Sequence, residues 1–109
     1  MTDAELEAYA PPVDLPIDPG IRRAVLLLRS EGVDTLESCE GGEGHPCPEP
    51  IIRFIGGARA ARRAVAAAVK HSLPVMQIRY AFTVVGGTLE APCWEMVFSQ
   101  HGFVLAAVQ

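Results

Sequence analysis

A chain of 109 residues, 50% hydrophobic and 20% charged, has the size and composition of one domain with a buried core rather than of a disordered chain. A formal net charge of −4 excludes the broad basic surface that bulk binding to a DNA or RNA backbone requires. Three unevenly spaced cysteines do not make the even, dense set of a small disulfide scaffold, so the thiols are expected to be reduced.

The N-terminal run Met1 to Ala10 is acidic and has no apolar stretch, which is not the pattern of a signal peptide. No segment approaches the roughly 18 apolar residues of a membrane span, and a cytoplasmic protein with no membrane partner is expected. Thr2 or Asp3 is placed to cap a short helix through Tyr9. Pro11, Pro12 and Pro16 then enforce extended backbone, so residues 1–17 read as an arm that packs on the body or on a neighbouring copy. Asp18-Pro19-Gly20 opens the first clear helix, because Asp suits the N-cap and Pro the first helical position. Ile21, Ala24, Val25 and Leu28 recur there at helical spacing, and Gly32 is a natural stop. Val33 to Ser38 reads as a short strand.

A long loop follows, and then Ile51 to Ile55 as a strand that Gly56-Gly57 breaks. Residues 58–72 predict an alanine-rich helix with Ala61, Val65, Ala68 and Val69 on its buried side; Pro74 prevents its continuation. Met76 to Val85 alternates as one strand, with Tyr80 in the core. Gly86-Gly87 turns the chain, and Cys93 to Ser99 is the next strand, with Trp94, Met96 and Phe98 on one face and Trp94 at its edge. Phe103 to Val108 is apolar throughout, a last strand or a short helix.

The order helix, strand, strand, helix, strand, strand predicts an α+β fold. Residues 18–109 form a single domain with two helices on one face of a mixed four- or five-stranded sheet. The unit 51–85 is expected to be a parallel, right-handed crossover and the unit 76–99 an antiparallel hairpin. This topology gathers the N-terminus of the first helix, the loop and His101 at one rim, together with the end of the second helix at Lys70-His71-Ser72. It leaves Cys93 and Trp94 towards the opposite edge.

The loop Cys39 to Pro50 has a composition that packing does not explain. Gly41, Gly42 and Gly44 permit positive φ or close approach to a ligand, and consecutive amides in such a turn can cradle an anion. Glu40, Glu43 and Glu49 would repel a bare phosphate; they suit hydroxyl or amine donors such as a ribose or a base edge. His45 donates or accepts near neutral pH, and Pro46, Pro48 and Pro50 stiffen the exit. Neither a Walker loop nor a dinucleotide fingerprint is present.

Two other chemistries use the same residues. Cys39, His45 and Cys47 offer metal donors spaced C-x5-H-x-C, with the fourth ligand missing and His101 or a glutamate left to complete the set. Cys39 or Ser38 as nucleophile with His45 or His101 as base would make a small hydrolase or transferase, although the spacing matches no nucleophile elbow. Arg59, Arg62 and Arg63 crowd the first turn of a helix, where cations oppose the dipole; a solvated face explains them better than a phosphate site.

The run Thr35 to His45, preceded by Asp18-Pro19-Gly20-Ile21-Arg22-Arg23-Ala24-Val25 and followed by Pro48 to Phe54, resembles a family of short bacteriophage and bacterial proteins to which no activity is attached. The resemblance covers residues 17–57 and, more loosely, the strand with Trp94-Glu95. Ser38-Cys39-x-Gly41 also resembles part of a tRNA-wybutosine methyltransferase family, but this chain lacks room for a separate methyl-donor site. A phage setting implies action on host machinery or host immunity, by analogy with compact phage proteins that sequester a nucleotide-derived signal.

The expected function is therefore non-enzymatic binding of a small nucleotide-derived ligand in the host cytoplasm, with no cofactor. Ser38, Cys39, Glu40, Gly41, Gly42, Gly44, His45, Glu49, Arg53 and His101 are the expected ligand-binding residues, with His45 and Arg53 on phosphate. The apolar tail and the proline arm predict a homodimer or larger homo-oligomer. A protein–protein inhibitor of a host factor is the remaining alternative.

Overall fold

The structure is a computed structural model that describes residues 2–11 and 17–100. The fold is α+β. Helix α1 (Asp3–Leu6) runs into a 3-10 turn (Glu7–Tyr9), and helix α2 (Pro19–Ser30) leads to strands β1 (Thr35–Cys39) and β2 (Ile51–Phe54). Helix α3 (Ala58–Lys70) and strand β3 (Val75–Ala81) follow. The small strands β4 (Val84–Val85) and β5 (Thr88–Leu89) and the long strand β6 (Cys93–Phe98) complete the order. Thr2 caps α1 through a reciprocal capping box with Glu5. Leu6 is buried against Leu26 and Leu27 of α2, which docks this segment onto the domain.

Strand order is β1-β2-β6-β3, and every pairing is antiparallel. The expected crossover over 51–85 is therefore split. β2 and β3 run in the same direction, but β6 lies between them and bonds to both, so the sheet is not mixed at any pair. The expected strand from Met76 to Val85 also ends early, at Ala81. A register shift between Val75 and Gln77 breaks the start of the alternation and leaves Met76 exposed. Val84 to Leu89 instead form a separate hairpin closed by Gly86-Gly87, with Glu90 N donating to Thr83 O at 2.8 Å.

The core lies between the two long helices and one face of the sheet. Ile21, Ala24, Val25 and Leu28 of α2 meet Ile52, Phe54, Met96 and Phe98 of the central strands. Full burial of side chains this size stabilises by about 1.5–3 kcal/mol each. α3 presents Ala64, Ala67 and Ala68 to this core, while Val69, expected inside, is 68% exposed. Trp94 stacks on Phe54 and donates its indole N–H to Gly56 O at 2.9 Å. Tyr80 covers Trp94 from outside at 4.7 Å between ring centroids and is itself exposed. The expected roles of Tyr80 and Trp94 are thus exchanged, because β6 is central and β3 is the edge. No helix among the described residues is long and apolar enough to cross a membrane. Most of the proline arm (12–16) and the apolar tail, on which the homo-oligomer was expected, lie outside the described residues, as does His101.

Candidate functional site

The opposite face of the sheet carries polar chemistry. Glu37 pairs across the sheet with Arg53, Arg53 with Glu95, and Glu95 with Arg79, one residue from each of the four strands. Arg53 donates from Nη1 to Glu37 and from Nε to Glu95 Oε2 at 2.7 Å; Arg79 donates from Nε to Glu95 Oε1 at 2.7 Å. Burial alone would push the Glu95 carboxyl up, but the hydrogen bonds from Arg79 and Arg53 outweigh it and hold it below the ordinary glutamate range. Burial likewise pulls against the Arg53 charge, and Glu37 and Glu95 more than restore it. The guanidinium expected to contact phosphate is engaged in this ladder.

The loop folds back over the end of β1 and β2. Gly41 makes this possible: its φ is +76°, and a Cβ there would sit 2.5 Å from the Glu49 carbonyl carbon and 2.6 Å from the Pro50 nitrogen. The Gly42 amide donates to Pro48 O at 3.0 Å, so it serves the loop rather than a ligand. Gly44 is exposed. Pro50 O accepts from Phe98 N at 2.9 Å, which ties the loop's exit to β6.

The same fold-back joins the loop to α2. Asp18 occupies the N-cap position, but its carboxylate does not cap its own helix; Oδ2 accepts the Glu40 amide at 3.0 Å. Glu40 supplies the missing cap, with Oε2 accepting the Gly20 amide at 2.7 Å. Its other oxygen, Oε1, lies 3.0 Å from His45 Nε2, and His45 Nδ1 lies 3.6 Å from Asp18 Oδ2. Donor atoms of Asp18, Cys39 and His45 all fall within 4.8 Å of one another. Burial first, then the neighbouring Cys39, push the Cys47 thiol up.

A hollow of about 330 Å³ opens beside this cluster, lined by Glu37, Ser38, Cys39, Pro46, Cys47, Ile51 and Arg53. The structure therefore brings together Ser38, Cys39, Glu40, His45, Cys47 and Arg53 among the residues expected from sequence. Glu49 is exposed and contributes its backbone against Gly41. Cys93 pairs with Ala81 at the far end of the sheet, away from Cys39, which pairs with Ile51. Lys70 and His71 bond to Glu31, just past the C-terminus of α2 and away from the rim where they were expected. The helix start at Asp18 was expected at this rim, but neither Asp18 nor Glu37 was among the expected ligand-binding residues. The N-cap position of Asp18 was legible, but its partnership with Glu40 links residues 22 positions apart. No protein-family model, curated protein or solved structure matches this chain.

Proposed function

We propose that the protein binds, without turning over, a small nucleotide-derived ligand whose base or ribose enters the hollow under the loop. The observation that carries this reading is the hollow itself. Its volume of about 330 Å³ lies at the small end of the roughly 300–1,000 Å³ of ligand sites. Its wall combines the apolar residues Ile51 and Pro46 with the polar residues Ser38 and Glu37. Charge moves the reading away from phosphate. The α2 N-terminus, a natural anion site, is filled by the Glu40 carboxylate, and Arg53 is flanked by two carboxylates. A neutral, donor-rich ribose or base suits such a wall, with any phosphate left towards solvent. Sequestration of an immune signal by a phage protein is the use we propose for this binding, on the family resemblance alone.

A second reading has one observation in its favour: the Cys39 sulfur and a His45 ring nitrogen lie within 4.8 Å, the pairing a nucleophile and base in a small hydrolase or transferase would tighten. One experiment separates the two. The protein is incubated with a panel of nucleosides, nucleotides and cyclic nucleotides, its thermal shift is recorded, and the ligand is released by heat and analysed. Recovery of intact ligand supports binding. Turnover that Cys39→Ala abolishes replaces it with the enzyme. The absence of a shift with every member overturns both and leaves inhibition of a host protein.

A further inference from the structure

The geometry points to a tetrahedral transition-metal site of the zinc class, formed by Asp18, Cys39 and His45 with Cys47 in the fourth position. This inference does not rest on the ligand reading, although Cys39 and Cys47 also line the hollow. Zinc takes Cys sulfur at about 2.3 Å and His nitrogen or carboxylate oxygen at about 2.0–2.2 Å, so tetrahedral ligand atoms stand roughly 3.3–3.8 Å apart. The 3.6 Å between His45 Nδ1 and Asp18 Oδ2 is such an edge. The Cys39 sulfur completes a trio within 4.8 Å, which a bound ion would draw in by about an ångström. Cys47 stands two residues after His45 and lines the same hollow as Cys39, so its thiol is the donor placed to take the fourth position. Soft sulfur with imidazole selects zinc over magnesium or calcium, which demand oxygen.

The surroundings strengthen the assignment. A metal-bound histidine commonly donates its other ring N–H to a carboxylate, which fixes the tautomer and the ring orientation. Here Glu40 Oε1 stands 3.0 Å from His45 Nε2, so Nδ1 is the nitrogen turned to Asp18. Glu40 is itself fixed by the Gly20 amide, and Asp18 by the Glu40 amide. Asp18 and His45 are thus both held through Glu40 before any ion arrives. Cys39 and Cys47 bind as thiolates and release their two protons to solvent.

The test is a cobalt titration of the reduced, chelator-treated full chain. Expected are the visible bands of tetrahedral cobalt and a thiolate-to-metal charge-transfer band, both saturating at one equivalent and displaced by zinc. Absence of these bands, or saturation beyond one equivalent, overturns the site. Cys39→Ser or His45→Ala should weaken binding at least 100-fold, with folding checked by circular dichroism; unchanged affinity in either overturns it. Cys47→Ala should keep the cobalt bound and roughly halve the charge-transfer intensity, and full intensity removes Cys47 from the site. Cys93→Ser should change nothing, and a loss of band there places the ion elsewhere. Because the wild-type titration needs no variant, a misfolded mutant leaves the inference open to refutation.

Discussion

Gly20 donates its amide to the Glu40 carboxylate at 2.7 Å, so the start of helix α2 is capped by a residue twenty positions after Gly20. The cap doubles as the support for His45. Glu40→Ala should lower stability to urea by about 1 kcal/mol, the usual cost of a lost N-cap, and should free the His45 ring. Gly20→Ala acts differently. Its Cβ would meet Glu40 Oε2 at 2.4 Å and push the carboxylate aside, while Ala favours the helix by up to about 1 kcal/mol. Its net stability should lie within about 1 kcal/mol of wild type, with the His45 ring signals shifted as in Glu40→Ala. Wild-type His45 signals in both variants would refute the coupling.

The Gly41 turn has no such flexibility, because the atoms it would strike are backbone. Gly41→Ala combines a left-handed conformation costing about 1–2 kcal/mol with a Cβ 2.5 Å from the Glu49 carbonyl carbon. The variant should lose at least about 2 kcal/mol in chemical denaturation. Gly44→Ala, whose Cβ meets nothing within 4 Å, should lose no more than the conformational part. Equal losses in the two variants would show that crowding against residues 49–50 does not matter.

The Glu95 carboxyl is held below the ordinary range, so its ionised form is bound more tightly in the folded chain than in the unfolded one. The sign follows. Its contribution is complete above the ordinary glutamate pKa of about 4.3 and is lost as pH falls through the depressed folded value. The melting temperature should therefore drop with acidification below about pH 4.3, and Glu95→Gln should flatten that drop. At neutral pH Glu95→Gln should cost about 2–3 kcal/mol, since two arginines lose a charged acceptor. A neutral-pH stability equal to wild type would refute the ladder's contribution.

Burial pushes the thiols of Cys47 and Cys93 up, with Cys39 adding to the effect at Cys47. In the metal-free chain both should be protonated near neutral pH and react slowly with a thiol probe. Labelling of native protein should be slower than that of free cysteine at pH 7, rise steeply with pH, and favour the half-buried Cys47 over the buried Cys93. Fast labelling of Cys47 at pH 7 would show an ionised thiol and contradict this picture.

Helix α2 and strand β6 were legible because their apolar residues repeat at a clear period, and β2 because its apolar run is bounded by Pro50 and Gly56-Gly57; β1 was legible as a short strand despite poor alternation. The face of α3 was legible only in part: Val65 and Ala68 turn to the core as expected, but with so many alanines the pattern did not show that Ala64 and Ala67, rather than Val69, complete that face. The position of β6 was not legible either. Strand order is fixed by contacts between distant segments, and a central strand differs from an edge strand only in what lies beside it. That is why Trp94 and Tyr80 exchanged places. In the loop, the chemical residues were conspicuous in the sequence, whereas Asp18 looked like an ordinary helix cap. Its side chain acts across the fold, and no local pattern announces that. Arg53 illustrates the converse: a basic residue beside a glycine-rich loop suggests an anion, and only the cross-strand register shows that two carboxylates already claim it.

The insertion of β6 between β2 and β3 has a consequence for how the chain is made. As residues leave the ribosome in order, β2 and β3 emerge with their facing edges bare, and the strand that joins them comes last of the four. Until residues 93–98 appear, Ile52 and Phe54 lack Met96 and Phe98 beside them, and the nascent chain carries two unsatisfied strand edges. A stall or truncation short of Cys93 would leave the β1–β2 hairpin, β3 and the helices with no continuous sheet, a species prone to aggregate.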